Sequence, residues 1–141
     1  MNTKIKQAII GGLVGTAVMT IVMMVAPMMG MPKMSPPHML SMMLGVPAIV
    51  GWMMHFMTGV MFAMGYAFIF IDIVKKVNNN ILKGVLFGLA AFIFAQIMMA
   101  VMGMMMPMPP MEGSKMLLMI ASIMGHVIFG VTVTQFVKVK E

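Results

Sequence analysis

Four stretches of this chain carry no charged residue: Gln7–Pro32, Met34–Ile71, Gly84–Met111 and Met116–Val137. Each is at least as long as the ~20 residues an α-helix needs to cross the hydrocarbon core of a bilayer. That layer holds no water, so backbone N–H and C=O groups must be paired within their own segment, which leaves the helix as the conformation for each span. The chain is 62% hydrophobic and only 9% charged, far outside the composition of soluble globular proteins. The pattern predicts an all-α integral membrane four-helix bundle. Residues 1–141 form one transmembrane domain, with helices over about 7–29, 46–73, 81–106 and 115–137. Lys4 and Lys6 could open a signal peptide, but the apolar run behind them is too long and lacks a clear A-x-A cleavage site. It is expected to remain as the first span.

The basic residues are all lysines, and they are unevenly placed. Lys4, Lys6, Lys75, Lys76, Lys83, Lys138 and Lys140 flank one set of helix ends, whereas only Lys33 and Lys115 flank the other. Positive charge concentrates on the cytoplasmic side of membrane proteins. Both termini and the turn holding Asn78, Asn79 and Asn80 are therefore expected in the cytoplasm. The net charge of +6 reads as topology and attraction to the lipid bilayer; no nucleic-acid partner is expected. There is no cysteine, and hence no disulfide or thiolate metal site.

The two halves of the chain match, which predicts two helical hairpins related as parallel repeats, about 7–73 and 81–137. At an offset of 73, Gly11 and Gly15 fall on Gly84 and Gly88, Met29-Gly30-Met31 on Met102-Gly103-Met104, and Pro36-Pro37 on Pro109-Pro110. At an offset of 71, His55, Gly59 and Val60 fall on His126, Gly130 and Val131. Pro-Pro cannot continue a helix, so the outer loops 30–45 and 107–114 are each expected to break at that pair. Gly11-x-x-x-Gly15 and Gly84-x-x-x-Gly88 allow helix backbones to approach closely.

Apart from Met1, every one of the 27 methionines lies in Met19–Met64 or Met98–Met124, on the predicted outer side. A thioether is a soft ligand, and pairs such as Met19/Met23, Met53/Met57 and Met98/Met102 stack two of them on one helix face. Asp72, Glu112 and Glu141 are the only acidic residues, which disfavours hard cations. The metal-ligand candidates are Met34, Met39, Met104, Met108 and Met119 with His38, His55 and His126. The competing reading is that methionine is a flexible filler of irregular packing.

Ionisable residues within a membrane usually face the bundle interior. His55 and His126 are repeat-equivalent and are expected at similar depth, facing each other. They could ligate one metal ion or the two axial positions of a haem b, or simply hydrogen-bond to hydroxyls such as Thr58 or Ser122, or to each other. On a helical wheel, Gly51, Thr58, Gly59 and Phe62 share the His55 face, and Met53, Met57 and Met64 lie opposite it. Met119 and Ser122 share the His126 face. The sulfur turned away from His55 points to a homo-oligomer or a larger membrane complex. No P-loop, G-x-S-x-G or H-E-x-x-H motif is present, nor a Ser/His/Asp set, so an enzyme is not expected.

The segments 26–34, APMMGMPKM, and 51–59, GWMMHFMTG, resemble a family of small, uncharacterised four-helix bacterial membrane proteins. The resemblance covers most of the chain and implies the fold and a bacterial inner membrane, but no activity. In ligand style only, the MxxxM pairs are similar to those of copper transporters. The expected function is a soft-metal binder, most simply for copper(I), acting at the outer face in uptake, relay or sequestration; the alternatives are a redox protein carrying haem b between His55 and His126, or a non-catalytic accessory or structural membrane subunit.

Overall fold

The computed structural model describes residues 2–138; Met1 and residues 139–141, Lys140 among them, lie outside the described residues. Within them the chain is helical, with no strand. The elements are α1 (Thr3–Val25), extended by a 3-10 turn over Ala26–Met29, α2 (Pro36–Leu44), α3 (Ala48–Ile73), α4 (Asn80–Met105) and α5 (Lys115–Phe136). Four of them, α1, α3, α4 and α5, are long and apolar enough to cross a membrane, which is compatible with a multi-pass membrane protein. One set of ends carries Lys4, Lys6, Lys75, Lys76, Lys83 and Lys138, and the other carries most of the methionines. They are the lysine end and the methionine end below.

Helix α2 departs from the expectation of a broken loop at residues 30–45. Pro36 and Pro37 occupy its first turn, where a missing N–H costs nothing and the fixed φ suits the helix. Gly45, at φ 62°, ends it in the left-handed conformation, with Val46 N–H bonding back to the Ser41 carbonyl at 3.0 Å. The repeat-equivalent Pro109-Pro110 lies in a segment with no helix. Helix α2 sits on α3 at Gly51, where a side chain would collide with the Pro37 carbonyl and Ser41.

Packing runs in the order α3, α1, α5, α4, and glycine sets the close approaches. A Cβ added at Gly12 of α1 would lie 2.6 Å from Val60 Cα of α3, and one at Gly88 of α4 would lie 2.6 Å from Val127 Cα of α5. Gly15 faces the Phe129 ring and Val133 across the α1–α5 contact. The pattern Gly84-x-x-x-Gly88 therefore brings two backbones together, as such motifs do in membranes, whereas on α1 the closest backbone approach is at Gly12, outside the Gly11-x-x-x-Gly15 pattern.

The remaining side of the bundle, between α3 and α4, is filled by rings. Phe62 meets Phe94 and Phe129, at centroid distances of 5.6 and 6.5 Å, and Tyr66 and Phe70 meet Phe87 at 4.9 and 5.4 Å. These spacings are within the range favoured by aromatic pairs. The core of Ala63, Tyr66, Ala67, Ile71, Phe87, Phe129 and Val133 thus gathers toward the lysine end.

Along α3 the buried residues Gly51, His55, Gly59, Ala63, Ala67 and Ile71 form an i, i+4 series, joined by Tyr66 beside it. That row drifts around a helix of 3.6 residues per turn, and a π-helical turn at Tyr66–Phe70 follows it. The drift explains one departure from the wheel: Met64 is half-buried against the core, although the wheel put it opposite His55.

Candidate functional site

One turn of α1 reaches both histidine-bearing helices. Thr20 is buried and its Oγ1 lies 3.0 Å from Nε2 of His55 on α3. On either side of Thr20, Met19 and Met23 point at α5: a Cβ at Gly125 would sit 3.2 Å from Met23 Sδ and 3.7 Å from Met19 Sδ. Gly125 directly precedes His126, so one stretch of α1, Met19–Met23, carries two thioethers against α5 beside His126 and the hydroxyl that holds His55.

The hydrogen bonds determine which ring nitrogen of each histidine is free. Thr20 has one hydroxyl proton, which it donates to the Thr16 carbonyl at 2.7 Å. His55 Nε2–H must then donate to Thr20 Oγ1, and the lone pair resides on Nδ1. His126 Nδ1 lies 2.7 Å from the Ser122 carbonyl. A carbonyl only accepts, so Nδ1 donates and the lone pair of His126 is on Nε2. Neither His55 Nδ1 nor His126 Nε2 has a hydrogen-bond partner among the described residues. A ring N–H anchored to an oxygen, with the other nitrogen left bare, is the arrangement that fixes the tautomer of metal-ligating histidines.

These partners differ from those expected. Thr58 is exposed and bonds to the Met54 carbonyl, so it does not hold His55. Ser122 serves His126 through its backbone rather than its hydroxyl. Thr16 continues the polar face of α1, donating to the Gly12 carbonyl at 2.7 Å.

A cleft of about 420 Å³ opens from the methionine end down to Thr20. Its walls include Met23, Met24, Met34 and Trp52, with Lys33 and Ser35 also lining it. A groove of about 410 Å³, lined by Met29, Met31 and Met124 among aliphatic side chains, lies elsewhere along α1. Neither is lined by His55 or His126, so neither offers a haem-shaped slot between the two rings.

The other residues singled out from the sequence are dispersed. Met34 lines the cleft, while His38 is exposed on α2 and Met39 is half-buried there. Met108 rests against Gly103, and Met104 and Met119 are 80% and 55% exposed on the bundle exterior. Met119 thus does not join His126 in the interior, and Met53 and Met57 are exposed on α3. Among the described residues no group of three or more His, Cys, Asp or Glu side chains gathers, so any metal site here depends on sulfur. Met19, Thr20 and Met23 were missing from the sequence-derived site. Their signal was present in two interleaved i, i+4 pairs, Met19/Met23 and Thr16/Thr20, one soft and one polar.

No curated protein and no solved structure matches the chain. The family model of DUF6789, a family of unknown function, matches residues 2–140, and the chain belongs to that family.

Proposed function

We propose that this protein is a multi-pass protein of a bacterial inner membrane that binds a soft metal ion, copper(I), between its outer face and the Thr20 level of α1. The observation that carries this reading is that the Met19–Met23 stretch of α1 sets two thioethers against Gly125, next to His126, and a hydroxyl on His55, with a hydrogen bond orienting each imidazole. Thioether and neutral imidazole are the donors copper(I) prefers, and hard cations find no carboxylate cage here. The cleft past Met34, Met24 and Met23 supplies a sulfur-lined approach from the methionine end. Seven lysines against two support placing that end outside and the termini in the cytoplasm. With no Met, Cys or His in 2–18 or 65–97 to pass the ion on, capture and holding fit better than conduction.

The test is copper content after reconstitution of the full chain with copper(I) under reducing conditions. Wild type is expected to retain the metal through desalting, and the double variant Met19→Leu/Met23→Leu to lose most of it. Copper near zero in the wild type, or equal copper in both, contradicts the proposal. A Soret band in protein expressed with ample haem would instead favour the histidine-ligated haem.

A further inference from the structure

Helix α4 is the least covered of the four spans: 17% of its apolar window is buried, against 39% for α1. Its packed residues, Gly84, Phe87, Gly88 and Ala91, contact α5 and the aromatic core. At 100° per residue, about 180° from that face lies a row of exposed residues, Leu82, Leu86, Leu89, Ile93, Gln96 and Ala100. Their spacing alternates four and three, the heptad seam by which two helices interlock knobs into holes.

Gln96 is the anomaly in that row. It lies about 14 Å along the helix from Met105 and about 24 Å from Asn80, well inside the apolar span. Its amide is exposed and makes no hydrogen bond among the described residues. An amide facing hydrocarbon is costly, and in membranes such groups are satisfied by bonding across helices.

We propose that the α4 seam is the contact between two copies of this chain, paired about a twofold axis along the membrane normal. Copies in one bilayer share one orientation, so their α4 helices run parallel and each seam residue meets its own counterpart. The amide has both donor and acceptor, so Gln96 and the Gln96 of a second copy complete each other. A lipid tail cannot do this, and a foreign helix would need a polar group at the same depth. Ala100, one turn further on, leaves room for close approach.

The absence of cysteine makes the test direct. Leu89→Cys and Ala100→Cys on the seam, and Met53→Cys on the exposed face of α3, are each placed in the full chain, reconstituted in phosphatidylcholine vesicles and oxidised with diamide. The two seam variants are expected to form covalent dimers several-fold faster than Met53→Cys. Adding Gln96→Leu to Ala100→Cys is expected to weaken pairing roughly 3- to 30-fold, the span measured for interhelical polar contacts. Equal rates on and off the seam, or a chain that stays monomeric at all protein-to-lipid ratios, overturns the proposal. So does a Gln96→Leu variant that pairs as well as its parent.

Discussion

Helices α1 and α4 occupy equivalent places in the two halves of the chain and carry the same glycine pair, yet they are built into the bundle differently. Gly11 and Gly15 on α1 and Gly84 and Gly88 on α4 all turn toward α5. Helix α1 has a second packed face, Gly12, Thr16 and Thr20, which lies against α3. At the offset of 73 the α4 counterparts are Val85, Leu89 and Ile93, of which Leu89 and Ile93 are exposed. A polar face persists where a neighbouring helix covers it and is apolar where none does, as burial costs dictate.

The same difference separates the histidines. His55 has a hydroxyl on α1 to bond, whereas His126 meets Phe92 of α4 edge-on, at 5.8 Å, and falls back on its own helix's carbonyl.

The sharpest way to break this comparison is to substitute matched glycines. Gly84→Ala would drive a methyl into the Val131 backbone and to 2.8 Å from Thr134 Oγ1, whereas Gly11→Ala meets Phe136 Cβ at 3.2 Å near the end of α5. Thermal unfolding in detergent is expected to show a loss near 3 kcal/mol, the upper end of the roughly 1–3 kcal/mol typical of overpacking, for Gly84→Ala, and below about 1 kcal/mol for Gly11→Ala. Equal losses would mean that the two helices approach α5 alike.

A smaller effect is expected at the second face. Thr20→Val leaves His55 Nε2–H without its acceptor and is expected to cost about 1–2 kcal/mol. The matched change Ile93→Val lies on an exposed surface and should stay within about 0.5 kcal/mol. Nitrogen-15 spectra of the imidazoles provide a second readout: Thr20→Val should release the His55 tautomer and leave that of His126 unchanged. The smallest effect concerns a glycine that neither pairing uses. A Cβ at Gly65 meets nothing within 4 Å, and Gly65→Ala should raise stability by about 0.5–1 kcal/mol.

The four spans were legible because an uncharged run of that length has a single backbone solution. Helix α2 was not, because Pro36-Pro37 was read as an interruption when it begins a helix that Gly45 ends. The same pair at Pro109-Pro110 is followed by Glu112 and Gly113 and stays irregular, so the dipeptide alone does not decide. Of the candidate site, the burial of His55 and the half-burial of His126 could be read from the cost of an ionisable side chain in an apolar span. Their partners could not, because a wheel drawn for one helix shows which face is inward but not which helix stands opposite. Thr20 and the Met19/Met23 pair belong to that second helix. The exposed positions of Met104 and Met119 have the same origin, since sulfur on the methionine-rich half can lie on either side of a helix.

Copper K-edge X-ray absorption on the reconstituted full chain, loaded with copper(I), tests the central claim most directly. Wild type is expected to show a mixed first shell of sulfur and nitrogen scatterers. His55→Ala should lose nitrogen and Met23→Leu should lose sulfur. A shell of oxygen and nitrogen alone, or one that neither substitution changes, would contradict it.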